Sequence, residues 1–487
     1  MSKLSQQAGF LSLADFLRFF IKTLIGIALA RLLSPADLGS YRQLFLIYST
    51  LSGILMLGFP QSMLYFIPKA KSPDEVKRLV GRTINVISLL ALVCALLILA
   101  TRNLIAESFS NPDLSRLLII YSLYPIFLFV TQLYSSVLLG LKEPLRSARF
   151  TIFAILCDLI IVLGIALWTR DIVMITFGVV ISAFIQWLWA ALRLRQYRGD
   201  FGRDSFAGFK EQLYYTIPLG LSLLIGVLSV QLDKLMISGF FKPEDFAVFS
   251  LGAMELPLIG ILINSVNAIL LPNLSSVDKN QLSSMYSASI RKNALIIFPL
   301  ASVFFIFATE FMVFIYGAIY AEAAVYFRIY LLLLPLRVAT YGIVFQAMGR
   351  TKLVMIDAVI MLVLNAGLNL FLIRIWGMRG AAYATVMVSW LILVVYLLQM
   401  RFQLGLRLLA LFPILRLLKT LAVAILAAIL TLISLSPSLQ GFWRLALGSI
   451  LYFALYVPLA FVSKVLLPCD LILVRDFSLS LIQRLKK

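Results

Sequence analysis

Residues 9–41 read GFLSLADFLRFFIKTLIGIALARLLSPADLGSY. The first 25 of these are apolar enough and long enough to cross a bilayer, yet they carry Asp15, Arg18 and Lys22. At about 100° per residue, the three charges fall within about 60° of one helical face. A charge in hydrocarbon is costly unless it faces protein or a water-filled cavity. The first helix is therefore expected to line a polar space inside a bundle. Ala28-Leu29-Ala30 resembles a signal cleavage site, but the charges before it suit an h-region poorly. The segment reads as a retained first span with a cytoplasmic N-terminus.

The rest of the chain has the same character. Of 487 residues, 62% are hydrophobic and 13% charged, with a mean hydropathy of +1.01. That balance belongs to an all-α integral membrane protein. Apolar runs predict about fourteen transmembrane helices: 9–33, 41–68, 79–101, 117–140, 150–169, 172–192, 213–240, 246–272, 294–317, 325–348, 353–373, 380–400, 414–433 and 445–467. An even number places both termini on one side. Most of the Lys and Arg behind the net charge of +20 fall in alternate loops, above all 69–78, 141–149 and 193–210. The positive-inside rule puts those loops and both termini in the cytoplasm. The charge thus reads as topology, with no nucleic-acid partner implied. The tail, 471–487, reads as an amphipathic piece on the inner membrane surface.

A repeat organises the spans. Pro35-Ala-Asp37 follows the first span and Pro243-Glu-Asp245 follows the seventh, an offset of 243 − 35 = 208. Proline with a carboxylate two residues later is helix-start chemistry. Each turn is followed by a long span ending in proline, Pro68 or Pro272. The expected organisation is a six-helix lobe (1–192), a basic linker (193–212), a second six-helix lobe (213–400), and two extra helices with a tail (401–487). Gly58-Phe-Pro60 and Pro218 with Gly220 are expected to break their spans, and Pro125, Pro257 and Pro299 punctuate others.

Polar residues inside the spans are the candidate lining groups: Asp15, Arg18, Lys22, Asp158, Gln231, Asp233, Lys234, Glu255, Glu310, Arg328, Arg337, Asp357, Asn365 and Asn369. Acids and bases nearly balance. Asp158, Glu310 and Asp357 read first as interhelical pairs, and Arg328 as a snorkelling side chain. There is no histidine, and Cys94, Cys157 and Cys469 have no metal-ligand or disulfide spacing, so no metal or cofactor is expected. A membrane glycosyltransferase or polymerase is disfavoured, because no Asp-x-Asp pair, histidine base or large hydrophilic loop is present.

Four stretches carry a family resemblance: ARLLSPADLGSYRQLF (30–45), GFPQSMLYFIPKA (58–70), IYGAIYAEAAVYFRIYLLLLPLRVATYGIVFQAMGRTK (315–352) and IWGMRGAAYATV (375–386). The chain resembles the Wzx-type bacterial polysaccharide flippases of the MOP superfamily, which also holds lipid II flippases and MATE antiporters. The resemblance covers nearly the whole chain. It implies two six-helix lobes with two extra helices, and alternating access in the bacterial inner membrane. The implied cargo is an undecaprenyl-diphosphate-linked oligosaccharide, with membrane lipids and other polysaccharide-assembly membrane proteins as neighbours. A diphosphate needs charge-assisted donors, for which Arg18, Lys22, Lys234 and Arg337 are the candidates. Sugars need amides, hydroxyls and aromatic faces, and Tyr124, Gln132, Tyr341 and Gln346 are of those types. The alternative is an ion-coupled small-molecule antiporter, in which Asp15, Asp158, Asp233, Glu255 or Asp357 takes a proton or sodium ion. The basic groups on the first and seventh helices weigh against a cation exporter.

Overall fold

The computed structural model describes residues 3–197 and 208–466; most of the basic connector and the tail lie outside the described residues. Among the described residues every element is helical. The chain divides into two compact units, Met1–Ser250 and Leu251–Lys487. This division groups the seventh expected span with the first six.

In the first unit the helices are α1 (Lys3–Leu32), α2 (Pro35–Leu55), α3 (Phe59–Phe66), α4 (Pro73–Ser108), α5 (Asp113–Tyr121), α6 (Tyr124–Gly140), α7 (Pro144–Cys157), α8 (Gly164–Thr169), α9 (Ile172–Leu194) and α10 (Phe209–Phe240). Helix α11 (Pro243–Gly252) follows, and the boundary of the unit falls within its last turn, at Ser250. Seven of these helices begin on a recognisable start signal. Ser34 caps α2 by accepting from the Asp37 N–H, with Pro35 in the first turn. Ser72 and Asp171 cap α4 and α9 in the same way. Pro144 opens α7, and Pro125 lies in the first turn of α6. Pro243 opens α11 with Glu244 and Asp245 behind it, so both copies of the repeated turn are helix starts. Around this frame α1 packs along α7, α6 lies between α4 and α9, and α10 packs on α2.

The α2–α3 span is bent by 48°. Leu57 (φ 46°) and Gly58 (φ 74°) take left-handed backbone conformations there, which end one helix before Pro60 starts the next. In contrast, Pro218 does not interrupt α10, nor Pro299 the later helix that contains it. Each proline removes one ladder bond without ending its helix; beside Pro218 the Ser222 hydroxyl donates to the Pro218 carbonyl at 3.1 Å.

The second unit contains α12 (Pro257–Ser275), α13 (Lys279–Ile306), α14 (Ala308–Tyr316), α15 (Ala323–Leu331), α16 (Tyr341–Ala347), α17 (Thr351–Phe402), α18 (Leu408–Leu411), α19 (Ile414–Ser434) and α20 (Gly441–Val462). Here α19 packs between α13 and α20, and α16 lies against α12 and α17.

Among the described residues nine helices are long and apolar enough to cross a membrane, or eleven if each of two bent pairs is one span. The difference from fourteen has physical sources, and one is that the eighth expected span, 246–272, is broken between Gly252 and Pro257. The first helix carries Asp15, Arg18, Lys22 and Arg31 in one stretch. Helix α17 is far longer than the roughly 20 residues one crossing needs. It is interrupted at Gly377 (φ 58°, ψ −141°), and a Cβ on Gly380 would overlap the Leu372 carbonyl, so the chain doubles back there.

Candidate functional site

The first unit forms an open cavity of about 530 Å³ whose walls come from α1, α2, α6, α9, α10, α11 and the turn after α7. Lys22 reaches it from α1, Arg42 from α2 and Lys234 from α10. Asp158 is the one carboxylate among its described lining residues. Three cations against one carboxylate leave the lining electropositive.

Local structure explains how each group arrives there. Asp158 opens a π-helical turn, Asp158–Leu163, between α7 and α8. Such a turn widens the helix and shifts its register, a feature common at functional sites. Ser182 Oγ and Gln186 Nε2 donate to Asp158 Oδ1 at 2.6 and 2.9 Å, fixing the carboxylate from α9. Arg42 is held by donation from its Nη1 to the Ser250 carbonyl at 3.0 Å. On α6, Gln132 Nε2 donates to the Tyr48 hydroxyl at 2.8 Å. Tyr124 stacks on Tyr121 at 4.8 Å and meets the edge of Tyr48 at the same distance. The result is an aromatic wall with amide and hydroxyl groups set into it, in the same cavity as the basic side chains.

Six residues expected from the sequence therefore share one cavity: Lys22, Tyr124, Gln132, Asp158, Gln231 and Lys234. Arg18 is not among the lining groups; it is exposed and pairs with Asp15 one turn away on α1. Asp233 is buried on α10 and is not a lining group; its Oδ1 accepts from the Lys234 N–H at 2.7 Å. The remaining candidates belong to the second unit. Arg337 forms a two-pronged pair with Glu255, Tyr341 stacks on Tyr396 at 5.7 Å, and Gln346 is exposed. Asp357 is fully buried and accepts from Gln399 Nε2 at 2.6 Å. Asn365 and Asn369 bond to one another in the same helix. Glu310 pairs with Arg444 at 3.1 Å. Arg328 does not simply snorkel: it donates to the Phe305 carbonyl and to Thr309 Oγ1.

Arg42, Tyr48 and Ser49 also line the cavity, and sequence reading missed them. They follow the Pro35 turn, where polar residues read as a span edge. Ser49 stands seven residues after Arg42, about two helical turns, so these two share one face of α2, while Tyr48 reaches the cavity from beside them.

Comparison with known proteins agrees with this architecture. The sequence profile of the family described as polysaccharide biosynthesis protein matches residues 28–325. The capsular polysaccharide biosynthesis protein CapF of Staphylococcus aureus is 23% identical over 293 residues, 59% of this chain and 70% of CapF. The lipid II flippase MurJ in an inward closed conformation superposes with a TM-score of 0.76 at 18% identity, covering 95% of this chain and 99% of MurJ. An inward-facing multidrug resistance MATE transporter of the MOP superfamily gives a TM-score of 0.64 at 16% identity, covering 80% of this chain and 94% of the transporter. At these identities the superpositions show that this chain shares the fold of MurJ and of the MATE transporter. The family match spans more than half of the sequence, and the chain belongs to the polysaccharide biosynthesis protein family.

Proposed function

We propose that this protein is a flippase that carries an undecaprenyl-diphosphate-linked oligosaccharide across the bacterial inner membrane, with both chain ends in the cytoplasm. The observation that carries this reading is the electropositive cavity of about 530 Å³ in a chain of a polysaccharide-biosynthesis family. Its volume suits a head group of a few rings or charged units. Lys22 and Lys234 act as point charges for the diphosphate, and Arg42 adds a planar donor fork. Gln132 and Tyr48 offer an amide and a hydroxyl to sugar hydroxyls, and Tyr124 offers an aromatic face. The lipid tail stays in the bilayer. Arg18 and Arg337 are each already held by a carboxylate; a diphosphate must displace Asp15 or Glu255 to engage them, which suits transient contacts along the path. The two-lobe arrangement, 1–192 and 213–400 with two further helices, supplies the alternating access. The test is deletion of the gene followed by analysis of inner-leaflet lipids: a full-length lipid-linked oligosaccharide should accumulate, and an unchanged pool contradicts the reading.

One observation favours a second reading, an ion-coupled antiporter. Asp158 faces the cavity at a π-helical turn, ordered by Ser182 and Gln186. In that reading the carboxylate exchanges a proton or sodium ion for cargo. Asp158→Asn then abolishes ion-driven uptake in vesicles, whereas a flippase that uses Asp158 only for packing keeps its activity.

A further inference from the structure

A second pocket lies on the flank of the first unit, away from the large cavity. It measures about 190 Å³ and is formed where α7 begins and α9 ends. Arg146, Arg149 and Arg193 surround it, over a floor that includes Trp189 and Phe150. Three guanidinium groups gathered around one small pocket repel each other, so their gathering needs a counter-charge. Glu143 supplies part of it through Arg146, at 2.8 and 3.0 Å. Tyr197 Oη accepts from the same guanidinium at 3.4 Å. Arg149 and Arg193 have no carboxylate partner among the described residues. Arg193 instead lies over the Trp189 ring, 5.7 Å from its centre, which orients the guanidinium and leaves its N–H edge free to donate.

What lies next to the arginines indicates the kind of anion. Ile152 and Leu156 stand three and seven residues after Arg149 on α7, hence on the same face, and both are exposed. Trp189 stands four residues before Arg193 on α9 and is exposed as well. Basic donors at the membrane edge with an apolar stripe directly beside them form the profile of a lipid: a charged head above an acyl chain. A free anion has no use for the stripe.

We propose that Arg146, Arg149 and Arg193 form a seat for the phosphate of a lipid head group, with the acyl chain lying along Ile152 and Leu156. The Lys and Arg of 141–149 and of 193–197 assign the seat to the cytoplasmic leaflet. The seat is separate from the large cavity and does not depend on what that cavity carries. The phosphate can come from an anionic phospholipid or from a polyprenyl diphosphate, and the experiment separates the two.

The full-length protein in detergent is titrated with phosphatidylglycerol, with undecaprenyl diphosphate and with inorganic phosphate, and bound lipid is counted by native mass spectrometry. Losing two charge-assisted donors, an Arg149→Gln/Arg193→Gln variant should bind the preferred lipid about tenfold more weakly or worse. An Arg149→Lys/Arg193→Lys variant should fall in between, because charge survives and the fork does not. Loss confined to phosphatidylglycerol identifies a structural phospholipid, and loss confined to undecaprenyl diphosphate identifies a waiting station for carrier lipid. Equal lipid binding by the Gln variant and the wild type overturns the proposal, as does inorganic phosphate binding as tightly as either lipid. Should the Gln variant fail to accumulate, a head-group photocrosslinking phosphatidylglycerol and a matching diphosphate probe are applied to the wild type. Crosslinks on peptides holding Arg149 or Arg193 support the seat, and crosslinks only elsewhere overturn it.

Discussion

Arg42 Nη1 donates to the Ser250 carbonyl at 3.0 Å, and the two residues are 208 positions apart. That is also the offset between Pro35 and Pro243, so Arg42 and Ser250 hold the same place in the two copies of the repeated turn. The copies meet directly: a Cβ on Gly39 would overlap the Pro243 carbonyl. Helix α2 can approach the start of α11 this closely only because position 39 has no side chain.

Gly39→Val should therefore force the two helix starts apart. Overpacking against a rigid backbone costs about 1–3 kcal/mol. Thermal unfolding in detergent should show a lowered midpoint; an unchanged midpoint would mean that α2 and α11 do not pack as described.

At the start of α10 stands a buried polar knot. Gln212 Oε1 accepts from Arg82 Nε and Nη2 at 3.1 and 2.9 Å, while its Nε2 donates to Ser62 Oγ at 3.1 Å and Thr83 Oγ1 at 3.0 Å. One amide thus joins α10 to α3 and α4. Gln212→Leu removes an acceptor from Arg82 and a donor from two hydroxyls, at about 1–3 kcal/mol for each buried group left short. The variant should unfold at a lower temperature than Gln212→Glu, which keeps an acceptor for the guanidinium. Equal midpoints for the two would show that the knot does not tie these helices together.

Much of this is legible in the sequence, for identifiable reasons. Charges in apolar runs are rare and expensive, so Lys22, Lys234 and Asp158 stand out from their neighbours along the chain. The Pro35 and Pro243 turns are readable because helix starts have a strong local chemistry. Arg42, Tyr48 and Ser49 are not, since their role rests on contacts with α6, α10 and α11 that span up to 208 residues. The π-helical turn at Asp158 leaves no mark in an apolar run. Pro218 misleads because whether a proline breaks a helix depends on its surroundings, here a continuous α10.

Topology has its own test. Single cysteines at Lys71 and Ser438, in a chain without its three natural cysteines, should label from opposite sides of the membrane, Lys71 from the cytoplasm. The basis is the bias of Lys and Arg between alternate loops. Labelling of both from one side would contradict the proposed span count and orientation.

The role assigned to the large cavity stands or falls on Lys22 and Lys234. A Lys22→Gln/Lys234→Gln variant is assayed for lipid-linked oligosaccharide left on the inner leaflet, with protein abundance measured in parallel. Normal insertion, loss of surface polysaccharide and accumulation of the lipid-linked precursor are expected, with the Lys22→Arg/Lys234→Arg variant milder because its charge survives. Full export by the Gln variant at normal abundance would contradict the assignment of this cavity to the diphosphate.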